Sequence, residues 1–313
     1  MEKFENFEKY LTPPSIKNIC ALIYHAVKTN DISLLEYKNI VDFKYNKKLP
    51  FDNDEFKDVL EFTYKTWWNN YLLPKSGQLK TKSIYDEFLN NPKYIPNSKE
   101  RIGIKRIPCS LENASLLYYK LPFYFQSIYF CIFDTFYLFE NDPKFFYNRS
   151  ITKRLYLETN LKYTPALCKE FLEYILKNNL QIRFKIALTK RKESFVFYTS
   201  DASFFDTLNM LEFVKNKRPE LFENSKITNP LLAKYKNYIG YGEEPMIFGS
   251  YNSVRVDILK ETYKNILKEY KIDKKYLTQS NIEKKFESAC ENHSIDSKKF
   301  YKNVYKKLYE EVL

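Results

Sequence analysis

The sequence predicts an α+β protein: a small, mainly antiparallel central sheet flanked by helices, following a helical N-terminal part. Three observations carry this. Apolar residues recur at helical spacing over Ser15–Thr29, they alternate strictly over Gln181–Leu188, and helical spacing returns beyond Ser253. At 313 residues with 44% apolar content, the chain is long enough for a large core and too apolar for wholesale disorder.

The elements follow in order. Pro13-Pro14 breaks the chain before Ser15, and Ile16, Ile19, Cys20, Ile23 and Ala26 then line one helical face. Asp52–Tyr71 gives a second amphipathic stretch, ending in Trp67-Trp68. Leu73–Arg106 is polar and broken by Pro74, Gly77, Pro92, Pro96 and Gly103, which predicts a long irregular excursion. Leu116–Phe139 is the most apolar region. Its charge-free run Leu121–Phe133 is too short to span a bilayer, so it reads as a buried element.

The middle of the chain alternates between the two periods. Thr152–Thr159 reads as a strand, and Pro165–Asn178 as a helix with Leu167, Phe171, Leu172, Ile175 and Leu176 on one side. In Gln181–Leu188, Ile182, Phe184 and Ile186 alternate with Arg183 and Lys185, the pattern of a half-buried strand with Lys185 on its polar face. Lys190-Arg191-Lys192 forms the turn to a third strand, Glu193–Thr199, and a helix follows at Ser203–Lys215. Thr228–Ser250 holds three of the five glycines (Gly240, Gly242 and Gly249) and reads as turn-rich, with special backbone geometry. Two or three charged helices complete the chain. Residues 1–140 therefore form a mainly helical N-terminal region with the irregular segment 73–106, and 141–313 an α+β domain with a helical C-terminal segment. The two are also readable as one continuous domain.

Composition narrows the function. A net charge of +12 favours anionic partners without choosing among phosphates, acidic peptides, nucleic acid and membranes. There is no GxxxxGK[ST] loop, no dinucleotide fingerprint after Gly240, and no RNA-binding signature. Neither nucleic acid nor membrane is expected as a partner. Cys20, Cys109, Cys131, Cys168 and Cys290 stand far apart and make no metal or redox pair, which fits buried thiols in a reducing cytosol. His25 and His293 are isolated. The charged residues of Met1–Tyr10 predict no secretory signal, and a cytoplasmic location is expected. No cofactor or metal is expected.

What remains is a basic group on and beside the predicted sheet: Lys153, Arg154, Arg183, Lys185, Lys190 and Arg191. Arginine presents a planar donor fork to an oxyanion, and lysine serves as point charge or base. Each residue alone also reads as a solvated side chain, and the tyrosines as core packing.

The order of short motifs resembles the HopA-type effector family. Arg154-Leu-Tyr156 is followed by Pro165-Ala-Leu and a helix, then Phe184-Lys185, then Phe197-Tyr198. Asn229-Pro-Leu-Leu-Ala, Gly242-Glu243-Glu244-Pro245 and Phe248-Gly249 resemble later segments of that family. The likeness covers about 153–268. In place of the family's basic doublet after Phe-Gly, Ser250-Tyr-Asn-Ser follows and Arg255 comes later.

The family includes type III secreted effectors and the stand-alone lyase of class V lanthipeptide and thioamitide pathways. The resemblance implies a metal-independent lyase that eliminates phosphate from phosphorylated Ser or Thr of a precursor peptide, leaving dehydroalanine or dehydrobutyrine. It implies a separate kinase as partner, and a cyclase as a further one. Lys185 would be the base, Tyr156 or Tyr198 would donate to the carbonyl or leaving oxygen, and Glu243 would orient a basic side chain. Arg154, Lys190, Arg191 and Arg255 would hold phosphate. The other expectation is a non-enzymatic, effector-like interaction module.

Overall fold

The computed structural model describes residues 6–40, 129–132, 136–140, 152–160, 163–178, 180, 182–187, 192–245 and 249–304. Within them the fold is α+β. The strands are β1 (Leu11–Thr12), β2 (Tyr129–Ile132), β3 (Phe136–Glu140), β4 (Lys153–Leu157), β5 (Arg183–Ala187), β6 (Phe195–Thr199), β7 (Ala233–Tyr235) and β8 (Ile239–Glu243). They form one eight-stranded sheet in the order β1-β7-β8-β4-β6-β5-β3-β2. Every described pairing is antiparallel. The sheet is wider than the three strands legible in the sequence. The expected helix Asp52–Tyr71 and irregular segment Leu73–Arg106 lie outside the described residues.

Helices cover both faces. On one face, α2 (Thr164–Lys177) and α3 (Phe204–Lys217) pack against Leu155, Leu157, Phe184, Phe195, Phe197 and Tyr241. Phe171 meets Phe195 and Phe197 edge-on at 5.2 and 5.4 Å between centroids, the arrangement ring quadrupoles favour. Each such buried side chain contributes about 1.5–3 kcal/mol. Phe7 enters the same core, against Phe204, Tyr235 and Tyr241, and holds the short β1 beside β7.

On the other face lie α1 (Ile16–Thr29), α4 (Tyr251–Ile272) and α5 (Gln279–Asn292). Helix α1 starts where the sequence predicts. The Ser15 hydroxyl accepts the Asn18 N–H at 3.2 Å, and Asn30 ends the helix in the left-handed region at φ 53°. Its stripe of Ile19, Cys20, Ile23, Ala26 and Val27 is buried against α4 and α5. Helix α4 opens with a reciprocal Ser250/Ser253 capping box.

The glycine-rich stretch differs from its sequence reading. Gly240 and Gly242 are not turn residues; they sit inside β8, and among the described glycines only Gly249, at φ 139°, has positive φ. The reason is close approach. A Cβ on Gly242 would stand 2.2 Å from Cε2 of Tyr251, and one on Gly240 would stand 2.7 Å from Leu232 Cδ1. The turn between β7 and β8 uses Lys236 and Asn237 instead, at φ 48° and 64°. Among the described residues, no helix is long and apolar enough to cross a membrane.

Candidate functional site

The site follows from strand register. Arg154 on β4 lies opposite Tyr198 on β6, and Tyr198 lies opposite Arg183 on β5. Antiparallel partners share a face, so Arg154, Tyr198 and Arg183 form one row across three strands. The next row on the same face is Tyr156, Val196 and Lys185. This is the face covered by α1, α4 and α5.

The Tyr198 ring lies between two guanidiniums, with the Arg154 carbon 4.8 Å and the Arg183 carbon 4.9 Å from its centroid. Cations over an aromatic face are attracted by its quadrupole. Burial pushes the Tyr198 phenol up, but Lys185, Arg154 and Arg183 outweigh it and bring the phenol below its ordinary value. Tyr198 and Lys185 are half-buried.

Glu244 holds Arg154. Its carboxylate accepts from both Nε and Nη2 of the guanidinium, a bidentate, charge-assisted pair. Burial works against the Arg154 charge, but Tyr156, Tyr198 and Glu244 hold its pKa well above the ordinary value. The acid expected to orient a basic side chain was Glu243, which instead faces away. It lies opposite Lys153 in the ladder, on the other side of the sheet, and accepts the Asn303 N–H at 2.8 Å. Burial pushes its carboxyl up. The β8 pleat explains the exchange: Gly242 lies opposite Arg154, so the next residue on that face is Glu244.

A second group lies deeper. Tyr156 and Arg255 are both buried, at 1% and 0% exposure. Tyr251 connects them: its ring is 5.9 Å from that of Tyr156 and 4.1 Å from the Arg255 guanidinium. The Tyr251 hydroxyl donates to the Leu231 carbonyl at 2.7 Å. Burial pushes the phenols of Tyr156 and Tyr251 up. Nearby, Glu193 Oε1 accepts from the side-chain amides of Asn229, at 2.8 Å, and Asn252.

The structure thus brings together Arg154, Tyr156, Arg183, Lys185 and Tyr198 on one face, with Arg255 behind them. Lys153 pairs with Asp201. Lys190 and Arg191 lie outside the described residues. Lys192, the last of that basic tripeptide, donates to the Ile40 carbonyl at 2.7 Å. Sequence reasoning missed Glu244 as the partner of Arg154, and Asn229 and Asn252 as partners of Glu193. The described residues contain no group of three or more His, Cys, Asp or Glu arranged to hold a metal ion.

No family model matches the chain, and no curated protein does. Among solved structures, the chain is similar to the effector protein from Pseudomonas syringae pv. tomato strain DC3000, with a TM-score of 0.51 and 11% identity over 92% of this chain and 98% of that one. The effector protein from Pseudomonas syringae pv. syringae strain 61 gives a TM-score of 0.49 and 12% identity over the same shares, 92% and 98%. At 11% identity, the likeness to the DC3000 protein shows a shared fold.

Proposed function

We propose that the chain is a lyase that eliminates phosphate from phosphorylated Ser or Thr of a precursor peptide, as the HopA-type resemblance implies. One observation supports this above the others: Arg154, Tyr198 and Arg183 form a single cross-strand row, with Lys185 two residues along on the same face. β-Elimination needs a base at Cα, a donor for the developing enolate and cations for the departing anion.

In this reading Lys185 Nζ takes the Cα proton. The C–H electron pair becomes the Cα=Cβ bond, and the Cβ–O bond breaks with its pair leaving on phosphate. Tyr198 donates to the peptide carbonyl as charge builds there. Arg183 holds the departing dianion. Arg154, held by Glu244 through Nε and Nη2, supplies a second positive charge for the same anion. A separate kinase supplies the phosphorylated peptide, and the product is a dehydroalanine or dehydrobutyrine residue of a lanthipeptide-type precursor.

The second reading is a non-enzymatic interaction module, since the DC3000 protein that shares the fold is called an effector protein. Incubation with phosphoserine and phosphothreonine peptides, followed by mass analysis, separates the two. Loss of phosphoric acid from the peptide supports the lyase. A peptide that stays intact under conditions where the protein is folded refutes it.

A further inference from the structure

Helices α4 and α5 run antiparallel. Glu269, near the end of α4, meets Asn281 and Lys285 near the start of α5. Glu261, farther back on α4, meets Asn292 and His293 at the far end of α5. The two helices therefore join at one tip, where the short turn Lys274–Tyr276 buries none of its residues. Ile272 ends α4 and is 83% exposed, and Tyr276 in the turn is 42% exposed. Among the described large hydrophobic side chains, Ile272 is the most exposed.

Lysines surround it. Lys264, Lys268 and Lys271 recur along the outward side of α4, Lys274 and Lys275 follow in the turn, and all are exposed. The acids of the tip are already engaged: Glu269 pairs with Lys285 at 2.6 Å and Asp273 with Lys275 at 2.8 Å. Among the described residues, Lys264, Lys268, Lys271 and Lys274 make no ion pair. The negative end of the helix dipole accounts for Lys271 in the last turn. It reaches neither Lys264 nor the bare isoleucine between the lysines.

We infer that the α4–α5 tip docks on an anionic lipid surface, with Ile272 and the Tyr276 ring entering the headgroup layer and the lysines meeting the lipid charges. A protruding apolar side chain ringed by cations has the chemistry of an interfacial anchor. A tyrosine, apolar in its ring and polar at its hydroxyl, suits the headgroup level. Nucleic acid would use the lysines through its phosphates and leave Ile272 in water. The most apolar run of the chain is too short to span a bilayer, which weighs against a membrane partner, but an interfacial tip needs no span. The inference is independent of the lyase reading, whose row of side chains lies on β4, β5 and β6.

The test is co-sedimentation of the full chain with vesicles of phosphatidylcholine alone and of phosphatidylcholine mixed with phosphatidylserine. Binding is expected only to the mixed vesicles, and rising salt is expected to weaken it. Ile272→Ser is expected to weaken it at least about tenfold, and Lys271→Gln and Lys274→Gln about fivefold each. All three positions are exposed, so the melting curve of each variant should match the wild type. Absence of binding to the mixed vesicles at low salt overturns the anchor. Binding that Ile272→Ser leaves unchanged overturns it too, since diffuse positive charge would then suffice. Capture of a duplex oligonucleotide, weakened in the lysine variants and without vesicle binding, assigns the tip to nucleic acid and overturns it as well.

Discussion

Tyr251 lies flat against Gly242, so close that a single added methyl would fall 2.2 Å from the ring. The ring cannot yield readily, because its hydroxyl is tied to the Leu231 carbonyl and its other neighbours are Tyr156 and Arg255. Gly242→Ala is therefore expected to destabilise the fold by about 1–3 kcal/mol, the usual range for overpacking. Gly242 has no positive φ, so the effect is steric rather than conformational. An unchanged denaturation midpoint would contradict this packing.

Lys185→Met keeps the length of the side chain and removes its amine. In the lyase reading it loses elimination from phosphopeptides, by at least the ~100-fold ascribed to a positioned base, and keeps the wild-type unfolding transition. Mass analysis of the product and a melting curve check both halves. Full retained activity would move the base elsewhere.

Tyr198 is expected to ionise below the ordinary tyrosine value. Absorbance titration of phenolate should show one early-titrating group, absent in Tyr198→Phe. The sign for stability follows from linkage. The folded value is below the ordinary value of 10.0, so between the two the unfolded chain binds the extra proton. Stability from this group is present above about pH 10 and is lost as pH falls through the folded value. Tyr198→Phe should flatten that part of the stability profile, and a profile that superimposes on the wild type would refute the shift.

Glu244→Gln leaves the buried Arg154 guanidinium without its carboxylate. Breaking a fully buried pair typically costs about 3–5 kcal/mol. The Glu244 side chain retains 22% exposure, so the loss is expected at or below the lower end of that range. Glu243→Gln, on the other side of the sheet, should leave the ionisation of Tyr198 unchanged, whereas Glu244→Gln should shift it. Equal effects from the two variants would mean that the register of β8 is wrong.

These residues also show what was legible in the sequence. Helix α1 was readable because a proline pair, a capping serine and a clean apolar stripe all agree. Strand β5 was readable from alternation alone, as were the shared faces of Arg183 and Lys185. Strand β8 was hidden because its glycines, needed for the approach of Tyr251 and Leu232, carry the same letters as turns. The exchange of Glu243 for Glu244 was hidden for a different reason. Which acid meets Arg154 depends on how β4 and β8 are registered, and residues 82 to 90 positions apart in the chain set that pairing only after folding. Two-residue β1 is too short to show any period.

That short strand has a consequence for handling the protein. Leu11 and Thr12 occupy the outer edge of β7, held there by Phe7 in the core. Trimming the chain past Thr12 would bare a row of amide and carbonyl groups to any extended peptide. A shortened version should consequently tend to zip onto its own copies, so fusion tags and cleavage sites belong upstream of Phe7.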